Sequence, residues 1–123
     1  MADNNVTLVG NTTRDWELRF SAAGTAIASG GIAVNNRRKV GDEYEDESHF
    51  FNLTCFGSLA ENVCESVPKG TRIVVAGRLQ FRQWESQEGD KRSAVDVVVD
   101  SIGPDLRWAT AQVTKTEKRT EGR

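Results

Sequence analysis

A single histidine, two cysteines and two prolines are spread through a chain of 123 residues, and no apolar run approaches the length a membrane helix needs. Each scarcity closes a class of function. With His49 as the only imidazole, a Ser-His-Asp or Cys-His arrangement would have to be assembled around that one residue, and no elbow glycine pattern or matching partner accompanies it. His49, Cys55 and Cys64 lie six and nine residues apart, which fits no common zinc pattern. No glycine-rich phosphate loop followed by Lys-Ser/Thr occurs. The sequence therefore predicts no catalysis, no metal, no cofactor, no small-molecule substrate and no membrane span; a nuclease or other enzyme built on His49 is the least favoured reading.

The opening residues, MADNNVTLVGN, have neither a basic nor an apolar leader region, so a cytoplasmic location is expected. Two cysteines without a leader read as reduced, structural thiols; a redox-sensitive bond within or between subunits is the alternative. Charge of one sign is also missing: 16 Lys and Arg stand against 18 Asp and Glu, a net charge of −2. Bulk electrostatics does not point to a nucleic-acid partner, so the distribution of charge has to decide.

What is present is a series of strand-like segments. Residues 6–10 form a short apolar run closed by Gly10-Asn11, 18-LRF-20 resumes it, and 25–34 is small and apolar with a Gly30-Gly31 pair that predicts a bulge or bend. The basic triplet Arg37, Arg38, Lys39 and the acidic cluster Asp42 to Glu47 have nothing to bury and read as a mobile hairpin loop, the acidic part turned away from any phosphate backbone. Residues 49–57 form a strand. Then Ser58 and Glu61 suggest a capping box, Leu59, Ala60, Val63, Cys64 and Val67 share one helical face, and Pro68 ends the helix. Residues 72–84 form a strand, 85–92 a polar loop turning on Gly89, and 93–99 a strand alternating Val95, Val97 and Val99 against Ala94, Asp96 and Val98.

This order predicts an all-β domain with one short helix: an OB-fold, a five-stranded Greek-key barrel whose helix lies between the third and fourth strands and whose surface holds oligonucleotides or oligosaccharides. The domain is expected over 1–104, a further extended strand over 105–114, and a disordered basic tail over 115–123.

Strand alternation then isolates an unusual face. Ile73, Val75, Gly77, Leu79 and Phe81 line one side of the 72–84 strand, a core face, while Arg78, Gln80, Arg82 and Trp84 line the other. In the preceding strand Phe51, Leu53 and Cys55 point one way and Phe50, Asn52, Thr54 and Phe56 the other. Flat apolar rings beside guanidinium groups are what single-stranded nucleic acid requires: platforms for bases, cations for phosphates. Phe50, Phe56 and Trp84 are the candidate stacking residues; Arg78, Arg82, Arg37, Arg38, Lys39 and Asn52 are the candidate polar contacts. An aromatic face that docks a replication or recombination protein is the competing reading, and burial of either Phe at a barrel end or subunit interface is the bland one.

The segments 7-TLVGN-11, 15-DWELRF-20, 24-GTAIASGGIAV-34, 56-FGSLAENV-63 and 68-PKGTRIVVAGRLQFRQW-84, with the closing valine strand, resemble the OB domain of the bacterial single-stranded DNA-binding protein family over roughly residues 5–103. The ending 103-GPDLRWATAQV-113 is similar to the actinobacterial subset, in which the chain continues as a clamp strand onto a neighbouring subunit. The resemblance implies a non-catalytic homotetramer that protects single-stranded DNA without sequence preference in replication, recombination and repair, associated with the nucleoid. It places the family's stacking positions on Phe50, Phe56 and Trp84. Three features depart from it. The loop near Arg38 offers cations where some members carry an aromatic, and Trp16 stands where a proline is usual. The ending Glu121-Gly122-Arg123 has no acidic-hydrophobic peptide after a Gly/Pro/Gln-rich linker, which implies a secondary form that does not directly recruit tail-recognising replication enzymes.

Overall fold

The computed structural model describes residues 4–116. Its elements are β1 (Asn5–Thr12), β2 (Glu17–Phe20), β3 (Ala26–Val40), β4 (Glu43–Phe56), α1 (Ser58–Ser66), β5 (Arg72–Glu85) and β6 (Lys91–Pro104). Hydrogen bonding runs β1-β5-β6-β4-β3-β2, and a β1–β3 pairing at Asn11↔Ala33 and Thr12↔Ile32 closes five of the strands into a barrel, with β2 hung on β3. All neighbours are antiparallel except β4 and β6, which run parallel over Asn52↔Asp96 to Thr54↔Val98. This is the five-stranded OB arrangement, with α1 between the two halves.

Closure needs close backbone approach, and Gly10 supplies it: a Cβ there would meet the carbonyl oxygen of Ala33 at 2.2 Å. The end of the barrel beneath α1 is tied by Thr12, whose hydroxyl donates to the Pro68 carbonyl at 2.9 Å and accepts from the Thr71 N–H at 3.0 Å. Thr12 is thereby satisfied although buried.

The interior is the set that period-2 alternation selects: Ile32, Leu53, Cys55, Ile73, Val75 and Val97 are fully buried, with Ala60, Val63 and Val67 of the helical stripe above them. Burying each of the larger aliphatics stabilises the fold by about 1.5–3 kcal/mol. Pro68 follows Val67, whose N–H makes the last helical bond to Val63 at 2.9 Å. The helix begins one residue earlier than a capping box requires: Gly57, at φ 73°, is the N-cap and Ser58 is already the first helical residue.

Four expectations are corrected. Residues 37–47 are not a loop: β3 and β4 stay paired out to Val40↔Glu43, and the turn is only Gly41-Asp42. Opposed side chains hold this ribbon without a core, so its lack of apolar residues misleads. The Gly30-Gly31 pair makes no bulge, since the β3–β4 register is unbroken; it makes room for the Trp16 ring over Gly30 and for Thr13 and Arg14 over Gly31. Phe81, assigned to the core, is 61% exposed, because the β5–β6 ribbon runs past the barrel and its partner Val95 is likewise uncovered. The acidic cluster, expected to turn away from a phosphate backbone, lies directly across from the basic triplet, Arg37↔Asp46 and Arg38↔Glu45, which puts Asp46 on the same side as Phe50.

Beyond β6, residues 106–113 form no strand within the chain. Their start is pinned instead. Arg72 Nε donates to Asp105 Oδ2 at 2.7 Å, the Arg72 guanidinium lies 4.7 Å from the Trp108 ring centroid, and the Asp105 N–H donates to the Arg72 carbonyl at 2.9 Å. The Arg72 hydrogen bond, followed by that of the Arg107 N–H, holds the Asp105 carboxyl below the usual carboxylate range. Most of the expected basic tail over 115–123 lies outside the described residues. Among the described residues no helix is long and apolar enough to cross a membrane, and no cluster of His, Cys, Asp and Glu could hold a metal ion.

Candidate nucleic-acid interface

Three strands build one continuous outer face. Asn52 on β4 pairs with Asp96 on β6, and Asp96 pairs with Gln80 on β5, so these three residues project to the same side. Alternation carries that side along β4 through Phe50, Thr54 and Phe56, along β6 through Arg92, Ala94 and Val98, and along β5 through Arg78, Arg82 and Trp84. Because β4 and β6 are parallel and each begins at its hairpin tip, the β3–β4 and β5–β6 ribbons leave the barrel at the same end. Phe56 lies on the barrel wall; Phe50, about 20 Å away along β4, and Trp84, about 13 Å beyond Gln80, sit on the two departing ribbons.

None of the three rings is sealed. Phe50 is 72% exposed, Phe56 47% and Trp84 46%. An open groove of about 480 Å³ lies over the barrel wall, lined by Phe56, Asn52, Asp96, Arg82, Arg14 and Arg19. Trp84 lines a separate, smaller depression with Lys91 and Arg92 at the ribbon end.

The cations are not equivalent. Arg82 is bound to Asp96: its Nε donates to Oδ2 and its Nη2 to Oδ1 at 3.4 Å, while its guanidinium carbon lies 5.2 Å from the Trp84 ring centroid. Arg78 pairs with Asp100 at 3.3 Å, on the bulge where β6 carries one residue more than β5. On the β3–β4 ribbon, Arg37 and Lys39 fall on the side of Phe50, together with Tyr44, which stands opposite Lys39 and has the Arg37 guanidinium 4.7 Å from its ring centroid. Arg38 falls on the reverse side, where Glu47 at 2.9 Å and Glu45 at 3.4 Å engage it; His49 shares that side, 3.5 Å from Glu47. The nine candidates therefore divide: Phe50, Phe56, Trp84, Arg78, Arg82, Arg37, Lys39 and Asn52 share one face, and Arg38 does not.

Sequence reading missed Arg14, Arg19 and Tyr44. Arg14 sits in the connection after β1 and is placed by donating from Nη2 to the Gly30 carbonyl at 2.9 Å; Arg19 comes from β2, across from Ile27. Only barrel closure brings them beside β4 and β5. Tyr44 was legible, because counting back in twos from Phe50 reaches it, but its acidic neighbours concealed a strand.

Cys55 is buried in the core and Cys64 is half-buried beside it. Both are free thiols, and burial, then the neighbouring Cys64, pushes the Cys55 thiol up to about 12, while burial also raises that of Cys64.

A closed OB barrel whose outer face mixes exposed rings with guanidinium groups defines an oligonucleotide-binding class of domain. The sequence profile of the Single-strand binding protein family matches residues 3–105, and the chain belongs to that family. It is 43% identical over 119 residues to the single-stranded DNA-binding protein of Mycobacterium tuberculosis, covering 94% of this chain and 73% of that one. It is 44% identical to that of Mycolicibacterium smegmatis, at 94% and 72% coverage. Among solved structures, the small single-stranded DNA-binding protein from Streptomyces coelicolor superposes with a TM-score of 0.73 at 30% identity, over 86% of this chain and 97% of the other.

Proposed function

We propose that this chain binds single-stranded DNA without sequence preference, as a non-catalytic cover for unpaired strands in replication, recombination and repair. One observation carries the reading: Phe50, Phe56 and Trp84 project, uncovered, from a single sheet face that also holds the Arg14, Arg19 and Arg82 groove. Bases stack on the rings, each worth about 1–3 kcal/mol by alanine substitution, and the phosphates pass the cations. Three such contacts outweigh a net charge of −2, and the face is locally basic despite that total. Tyr44 on the β3–β4 ribbon, backed by Arg37, extends the track as a fourth platform. The named relatives and the Streptomyces neighbour support the same ligand.

The assembly is a homotetramer in this reading, with the segment after Pro104 extending as a strand onto a second copy. The uncovered Phe81, Val95, Leu106 and Val113 support contacts between copies, since apolar side chains on this scale are ordinarily covered. The compartment is the cytoplasm, where single-stranded DNA arises.

The test is a titration with oligo-dT of increasing length, followed by tryptophan emission and by anisotropy of a labelled strand, at several salt concentrations. Binding should quench emission and weaken linearly in a log–log plot against salt. Neither quenching nor a salt slope would contradict the reading.

A further inference from the structure

Asp96 stands among the cations that line the groove: a carboxylate, only 8% exposed, beside Arg82, Arg14 and Arg19. Its bonding explains its place. Oδ2 accepts from Arg82 Nε, and Oδ1 accepts from Arg82 Nη2 at 3.4 Å and from Asn52 Nδ2 at 3.3 Å. One acceptor-only group thus fixes a residue on β5 and another on β4 from its position on the strand between them.

A side-on carboxylate grip uses one edge of the guanidinium and leaves the Nη1 donors free. It also keeps the Arg82 guanidinium over the Trp84 ring, its carbon 5.2 Å from the centroid. Trp84 stands near the end of an exposed ribbon with no core beneath it, so without that guanidinium its ring would sample several rotamers before a base arrived.

We infer that Asp96 is a positioning residue for strand binding: through Arg82 it sets the Trp84 platform, and through its charge it cancels that of Arg82, so that Arg82 orients the site and contributes little counterion release. This rests on the single-stranded DNA reading above. Asn52 is held by the same carboxylate through its Nδ2 donor.

Asp96→Asn tests it, being equal in size but uncharged and, through its amide group, unable to accept from both Nε and Nη2. Two changes are expected together in oligo-dT binding. The log–log salt dependence should steepen by about 0.7, because one cation is no longer neutralised. At high salt, where that gain is screened, affinity should fall about tenfold, because the platform is no longer set. Both effects should vanish when Asp96→Asn is made in an Arg82→Gln background.

A steeper slope with unchanged high-salt affinity would make Asp96 a mere repulsive charge and overturn the positioning role. A lowered melting temperature with unchanged slope and affinity would overturn it in favour of a purely structural carboxylate. So would equal losses in the two backgrounds. Should Asp96→Asn fail to fold, Arg82→Lys at the half-exposed partner decides: a lysine cannot span both oxygens, so high-salt affinity should fall about tenfold with the slope kept, and wild-type affinity there would refute the inference. Wild-type protein that does not bind oligo-dT at all would instead strike the function proposed above.

Discussion

The six-membered ring of Trp16 lies against the backbone of Gly30, so close that a Cβ on Gly30 would stand 2.6 Å from Trp16 Cε3 and 2.7 Å from Cζ3. A bulky ring in the connection before β2 is admitted only because β3 has no side chain there. Gly30→Ala should therefore destabilise the fold by about 1–3 kcal/mol through overpacking, seen as a lower urea midpoint with the slope unchanged. An unshifted midpoint would mean that Trp16 is not seated on β3.

The stacking face makes separable predictions. Phe50→Ala, Phe56→Ala and Trp84→Ala should each weaken oligo-dT binding by about 1–3 kcal/mol and leave the salt slope in place, since none removes a cation. Loss of affinity through a changed slope would point to rearranged charge instead of lost stacking.

The ribbon of β3 and β4 allows neighbouring basic residues to be told apart. Arg37 and Lys39 lie on the Phe50 side, whereas Arg38 is turned to the reverse and held by Glu45 and Glu47. Arg37→Ala and Lys39→Ala should each make the salt slope shallower by about 0.7, and Arg38→Ala should leave it unchanged. An equal effect from all three would show the ribbon acting as an undifferentiated basic arm.

Much of this was written in the period of the chain. Alternation over 72–84 and 49–57 found both the buried row, Ile73, Val75, Leu53 and Cys55, and the uncovered row, Phe50, Phe56 and Trp84. It failed where the reason for a residue lies on another strand. Gly30 and Gly31 read as a bulge because their neighbours Trp16 and Arg14 come from elsewhere in the barrel. Arg14 and Arg19 had no local pattern to mark them. Phe81 fits the inward row, yet the ribbon outruns the core it would have joined. The charged residues 37–47 looked unstructured because composition measures burial, whereas this ribbon is held by opposed pairs such as Ser48 donating to Asn35 at 2.6 Å.

The two thiols predict alkaline behaviour. Cys55 ionises at about 12 in the folded chain against an ordinary 9.0, so the unfolded chain loses its proton first as pH rises. Its contribution to stability is complete below pH 9.0 and is lost as pH climbs from there toward about 12. Urea midpoints should fall between about pH 8 and about pH 10, less steeply in Cys55→Ala, and iodoacetamide should not label Cys55 in the native protein at neutral pH. Rapid native labelling would contradict the burial.

Photocross-linking bears most directly on the central claim. Wild-type protein irradiated with an oligonucleotide carrying 5-bromouracil should yield adducts at Phe50, Phe56 and Trp84, with Tyr44 as a fourth. Adducts confined to the reverse of the same strands, at His49 or Phe81, would contradict it.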